Sequence, residues 1–485
     1  MNGTHNLFTE LIQGDGKASW ASLEAVKAHP THDYAKEQFK TNEKSPSTGS
    51  ARLMARAFAD RLNRDPQAVA GLSNQDVTSG LLTLGRWHWE ATCQNAAAHL
   101  ARRIRNDTAF SPSLSGGELA DCLDSLAAWN GEIFRDASVR LISYIEASTL
   151  HFDTQGGRQV ASSLNALGTW HREDTCRKMG LRLAARLAND ESLRAALDGQ
   201  QVANCLNGLA RWSKEPVCRS AGAHLALRLT TAPFLHDSLN PQEVATCLYA
   251  LSRWHDDEAC VQTCMLLARR IASDEILRIQ FDGRGVAHCL SALANWTSKP
   301  ICADAGKKLA TRLANSETLL RQLNGARIAT CLGALVEWSD DNACRAAGAQ
   351  LAKRLSADGP MRHSLHGRYV AVCLHALATW SANEACHKAA VQLSRRLASD
   401  DMWRRLSPKH VINSLKALSK LEGEEPCRDA AAKLSQRIFA DDALRSGLSR
   451  QQLTDCCEAL AKWDSHEVCC HAASQLALLI QSARH

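Results

Sequence analysis

A tryptophan returns at a nearly constant interval through most of this chain, and that interval limits the possible folds more than any other feature. Ten positions align on tryptophan or its one substitute: Trp87, Trp129, Trp170, Trp212, Trp254, Trp296, Trp338, Trp380, Leu421 and Trp463, with gaps of 41 or 42 residues. Three residues before each anchor stands Leu in all ten cases, from Leu84 to Leu460. Six before it stands Leu in nine, with Cys457 the exception, and ten before it always Val, Ile or Leu. Offsets of three, four and seven lie on one face of a helix.

A second apolar helix follows each anchor, as in Cys218 to Leu229 and Cys302 to Leu313. Ten residues after the anchor it stays small in nine units: Ala97, Gly180, Gly222, Cys264, Gly306, Gly348, Ala390, Ala431 and Ala473. A helical glycine costs about 1 kcal/mol relative to alanine, so its recurrence predicts that another backbone crosses closely there. Most units then carry an Asp and a Leu-Arg pair, as at Asp190 to Arg194, Asp274 to Arg278 and Asp441 to Arg445. An Asp at that place predicts an N-cap opening a brief third helix. Alanine and leucine dominate and only 5% of residues are aromatic, which suits packed helices better than strands. The expected fold is all-α without a sheet: a right-handed α-solenoid of about ten HEAT- or armadillo-like repeats.

Such units stabilise one another by stacking, so the array should be one cooperative body with atypical ends. Residues 49–69 read as a half repeat, since Arg61 and Leu62 match Arg103 and Ile104, and full repeats occupy 70–485. The Trp129 unit is irregular: Gly116, Gly117 and Gly131 interrupt it, and Arg135 replaces a cysteine. Residues 1–48 lack the repeat and read as a flexible polar leader. The formal charge of +6 over 485 residues decides nothing about partners. No apolar run is long enough to span a membrane.

Nineteen cysteines, without a secretory signal, suit a reducing compartment. Seven stand seven residues before an anchor, Cys122 to Cys456, and nine stand six after one, Cys93 to Cys469. This register predicts small buried packing residues. A zinc site in the last unit, from Cys456, Cys457, His466, Cys469, Cys470 and His471, would lack CxxC or HExxH spacing. Gly14-Asp-Gly-Lys17 has no phosphate-loop context, and no nucleophile elbow or dinucleotide fingerprint occurs. No catalytic residue, metal site, cofactor or small-molecule substrate is therefore expected.

Two columns are candidates for binding. An arginine stands sixteen residues after most anchors and at the matching place in the half repeat: Arg61, Arg103, Arg186, Arg228, Arg270, Arg312, Arg354, Arg396 and Arg437. A cation in the last turn complements the helix dipole and can pair with an Asp four residues on. The same column could form a guanidinium ladder that grips phosphates or an acidic partner. Eight before the anchor stands a small polar alphabet, with Asn204, Thr246, His288, Thr330 and Asn413 as a specificity column. One-per-repeat RNA readers use such residues, but so do solvated first helical turns.

The unit Val-Ala-x-Cys-Leu-x-x-Leu-Ala-x-Trp, followed by a Lys-Pro-containing turn, Cys and an Ala-rich helix, resembles the SKWP-repeat family of type III effectors from plant-pathogenic bacteria. The nearest segments are Leu209 to Cys218, Leu293 to Cys302 and Leu418 to Leu421, although the tetrapeptide itself is absent. The resemblance implies a secretion leader in residues 1–48, action inside a host cell, in its cytoplasm or nucleus, and a role in virulence without catalysis. The expected function is a monomeric binding scaffold for a host macromolecule, protein rather than RNA. The alternative is an RNA-binding array similar in logic to octotricopeptide repeats.

Overall fold

The structure, a computed structural model, describes residues 46–110, 114–147, 156–463 and 466–482. Among these residues every regular element is a helix and there is no strand: the fold is an all-α helical-repeat solenoid. The expected leader falls outside the described residues up to position 45. A helix runs from Pro46 to Arg64. Proline suits a first helical turn, where its missing N–H has no intrahelical partner.

The chain divides into two compact units, Met1–Leu235 and His236–His485. In a stack each repeat touches only its neighbours, so compactness is local. Within each unit the same plan repeats. A first helix of 11 residues, such as Gly325–Leu335, ends in a 3-10 turn carrying the anchor, Val336–Trp338. A second helix of 16 residues follows, Asn342–Ala357, and then a third of six, Gly359–Ser364. First helices pack on first helices and second on second, giving two layers. In the first unit, Pro46–Arg64 packs against the second helix Ala91–Asn106, the neighbour a second helix has elsewhere.

The ends of these helices are chemically marked. Asp190, Asp274 and Asp441 cap the third helices as expected, each accepting the amide N–H three residues on. Asp198, Asn240 and Ser449 cap first helices, in reciprocal boxes with Gln201, Glu243 and Gln452. Each such cap stabilises by about 1 kcal/mol. In the irregular Trp129 repeat, Gly131 takes φ +151°, which a residue with a Cβ rarely adopts, and opens the second helix there.

The anchors explain the small column, and they correct the expected backbone crossing. A Cβ added at Gly180 would lie 2.5 Å from the Trp212 ring, one at Gly306 2.8 Å from Trp338, and one at Gly348 2.7 Å from Trp380. What approaches the second helix is therefore the indole of the following repeat. Trp87, Trp129, Trp212, Trp254, Trp296, Trp338, Trp380 and Trp463 are buried, as is Leu421, whereas Trp170 is half-buried. The indole N–H groups of Trp212, Trp296 and Trp380 donate to the carbonyls of His171, His255 and Ser339 at 3.1, 3.3 and 3.2 Å. Each acceptor directly follows the preceding anchor, so ring and N–H together fix one repeat against the last.

Two stability measurements test this interface. Trp296→Ala should lower stability by about 3–5 kcal/mol, read from urea melts, and an unchanged midpoint would refute its role in the core. Gly306→Ala should destabilise by about 1–3 kcal/mol through overpacking, despite alanine's better helix propensity. Pairing it with Trp338→Leu should cost less than the sum of the two single changes, as a shared contact requires.

Candidate binding surface

Every helix ends with carbonyls that no later turn can satisfy, and the arginine column serves them. Arg103 Nη1 donates to the Val69 carbonyl at 2.6 Å and also reaches that of Leu72. Arg270 reaches the His236 carbonyl at 2.6 Å, and Arg312 those of Ile279 and Phe281, both at 2.6 Å. Arg354 reaches Arg321 at 3.0 Å and Arg437 reaches Trp403 at 2.6 Å. Arg228 bonds the carbonyls of Arg194 and Ala195, and Arg396 that of Arg362. In every case the acceptor lies in or just beyond the short helix of the preceding repeat, 31–34 residues earlier.

At these seven positions the arginine column is an inter-repeat fastener. Its members are half-buried, and desolvation pulls the pKa of Arg228, Arg312, Arg354 and Arg437 below the ordinary arginine value. The expected pairing with Asp four residues on also occurs: Arg103 with Asp107 at 3.9 Å, Arg396 with Asp400 at 3.0 Å and Arg437 with Asp441 at 4.0 Å. Arg186 is half-buried and its charge helps hold Asp190 below the usual carboxylate range, after the hydrogen bonds from Leu193 and Ser192. Arg61, in the half repeat, is exposed.

A second arginine, in the Leu-Arg pair, works within its own repeat. Arg194 Nη1 donates to the carbonyls of Leu187 and Ala188 at 2.6 and 2.9 Å, and Arg278 to those of Ile271 and Ala272 at 2.7 and 2.9 Å. Arg362 does the same at Leu355 and Ser356. These close the second helix, a task the sequence reading did not assign.

The cysteines stay inside. All nineteen are free thiols; only Cys457 and Cys470 are partly exposed. Burial pushes Cys122, Cys218, Cys302, Cys331, Cys344 and Cys373 up to about 12. In the last repeat, Cys457 Sγ donates to the Ala473 carbonyl and Cys470 Sγ to that of Trp463, while His471 lies against Gln475. Among the described residues no three His, Cys, Asp or Glu side chains are grouped to hold a metal ion.

With tryptophans, cysteines and arginines committed to the stack, the open face of the first helices is the candidate surface. It carries the positions twelve, eight, five and one before each anchor. Asn204, Thr246, His288, Thr330 and Asn413 are all half-exposed there. Thr330 turns its hydroxyl back to the Ala326 carbonyl at 3.0 Å, and His288 stacks on Tyr249 with ring centroids 4.4 Å apart. Side chains of consecutive repeats meet along the face: Asn207 donates to Asn165 at 2.7 Å, Arg158 approaches Asp121 at 3.4 Å, and Lys416 reaches Asp455 at 3.1 Å. A groove of about 320 Å³ opens on it among Ser291, Asn295, Thr330, Gly333, Tyr369 and Val372. The position five before the anchor, which the sequence reading did not single out, lies beside the specificity column of the next repeat, as Tyr249 does against His288.

Arg312→Ala should destabilise by about 1–3 kcal/mol, the range for hydrogen bonds involving a charged group. Arg312→Lys should recover less than half of that in urea melts, because one ammonium replaces a planar fork reaching two carbonyls. A thiol reagent at pH 8 should modify no more than Cys457 and Cys470 before unfolding, since the other thiols are buried and hold few thiolates. Mass mapping of fast labelling at Cys302 or Cys344 would contradict their packing.

No protein family matches the chain, and no curated protein matches it. Among solved structures, an engineered protein known from a crystal structure is matched over 83% of this chain and 98% of its own, at 14% identity and a TM-score of 0.22. A likeness that loose carries no argument about fold or function. Among the described residues no helix is long and apolar enough to cross a membrane.

Proposed function

We propose that the chain is a noncatalytic binding scaffold that engages a protein partner through the open face of its first helices. The observation that carries this reading is the division of labour within the repeat. Tryptophan, the small column, cysteine and both arginines serve packing and helix ends, whereas the first-helix face varies from repeat to repeat and stays accessible. A face that mixes amides, hydroxyls, both charge signs and a partly apolar groove suits the polar rim and local hot spots of a protein interface. The arginine column, one of whose readings was a grip on phosphates, lends no support to the RNA alternative where it is bonded to carbonyls. The resemblance to SKWP-repeat effectors supplies the setting we propose: delivery by a type III system and action on a host protein.

Affinity capture from plant-cell extract tests the reading, with and without ribonuclease, beside the double variant Thr330→Glu and Asn413→Glu. Both changes lie on the open face, so the variant should melt like the parent. We expect a protein that survives ribonuclease and is lost with the variant. Recovery of the same protein by both chains, or a partner abolished by ribonuclease, would refute the proposed face or the proposed class of partner.

A further inference from the structure

Within the second unit the first-helix face becomes locally cationic. Arg368 stands twelve before Trp380, Lys409 twelve before Leu421 and Lys420 one before Leu421. All three are exposed, and none has an ion-pair partner among the described residues. Lys416 differs, being paired with Asp455. The three cations belong to two adjacent first helices, Gly367–Thr379 and Pro408–Leu418, and the 3-10 turn Ser419–Leu421 that continues the latter.

Their fields overlap on the same ground. Lys420 Nζ lies 3.4 Å from Thr379 Oγ1 of the preceding repeat. Half-buried His375 and His410 are both held below the ordinary histidine range. Burial is the first cause in each, followed by Lys420 for His375 and by Lys409 and Arg368 for His410. Beside this ground lies the groove of about 320 Å³, floored by Ala329, Gly333 and Val372. Tyr369 joins the two: it lines the groove, and the Arg368 guanidinium lies 4.4 Å over its ring.

We infer that this surface seats an acidic peptide segment of a protein partner, with carboxylates over Arg368, Lys409 and Lys420 and an adjoining aliphatic side chain in the groove. The inference rests on the first-helix reading above and gives it a location and a chemistry. Two features favour a peptide over single-stranded RNA. Single-stranded RNA is commonly held by bases stacked on open aromatic faces, and here one face of Tyr369 is covered by Arg368 while Tyr249 is covered by His288. Exposed Glu337 also lines the groove, so a phosphate chain running past the cations would meet an anion. A peptide with its acidic residues on one side avoids that charge.

The test uses the full chain and three fluorescent probes: a peptide of one leucine and a run of glutamates, its glutamine counterpart, and an oligouridylate. Anisotropy should show binding of the glutamate peptide, weakened about tenfold in the triple variant Arg368→Ala, Lys409→Ala and Lys420→Ala. Lys353→Ala, Lys388→Ala and Arg395→Ala, on exposed positions of second helices, remove the same charge and should change affinity less than about twofold. Equal loss in both triple variants, tighter binding of oligouridylate, or no binding of the glutamate peptide by the parent chain would each overturn the inference. If that happens while capture still depends on Thr330 and Asn413, the acidic seat falls and the first-helix reading stands.

Discussion

The contact between an indole and the small residue of the repeat before it sets the geometry on which the rest depends. A tryptophan is large, and its ring can lie flat against a helix only where no Cβ stands in the way, as at Gly180, Gly306 and Gly348. The glycine weakens its own helix, by about 1 kcal/mol, and the buried ring more than offsets that loss. At Trp212, Trp296 and Trp380 the indole N–H then adds direction, because it has a partner at only one carbonyl in the turn before it. Packing and hydrogen bonding together leave one way for a repeat to sit on its neighbour.

The arginines extend the same logic to the helix ends. A 16-residue helix followed by a six-residue helix leaves two sets of unsatisfied carbonyls close together. The repeat supplies one guanidinium for each: Arg278 closes the helix before it in its own repeat, and Arg312 closes the short helix of the preceding one. One closes a helix within its repeat and the other fastens neighbouring repeats, and both are made from the residue type most often read as a sign of nucleic acid. Their regular spacing follows from the regularity of the stack.

How far this was legible in the sequence depends on the range of the contact. The helical faces, the Asp caps at Asp190, Asp274 and Asp441 and the burial of cysteines follow from residues close in sequence or in fixed register, and periodicity exposes them. The small column was visible, but its cause was not, since Gly306 is explained by Trp338 in the next repeat. For the arginines the acceptors are backbone carbonyls 31–34 residues away, such as Ile279 and Phe281 for Arg312 and His236 for Arg270, and a carbonyl has no sequence signature. The first-helix caps could have been read from Asp198 with Gln201 or Asn240 with Glu243. On the candidate surface, alternation of residue types was plain, whereas neighbours such as Tyr249 and His288 meet across repeats and become a unit only in the fold.

The separation of the open first-helix face from the fastening columns has a consequence for how such a chain can change. Substitutions at exposed positions away from packing usually alter stability by no more than about 0.5 kcal/mol. Asn413 or Lys409 can therefore be exchanged with little effect on the fold, while Trp380 and Arg396 hold their repeat in place. The recognition we propose and the folding draw on different residues of the same 42-residue unit. A lineage of such chains can therefore vary its open face, one repeat at a time, without passing through an unfolded intermediate.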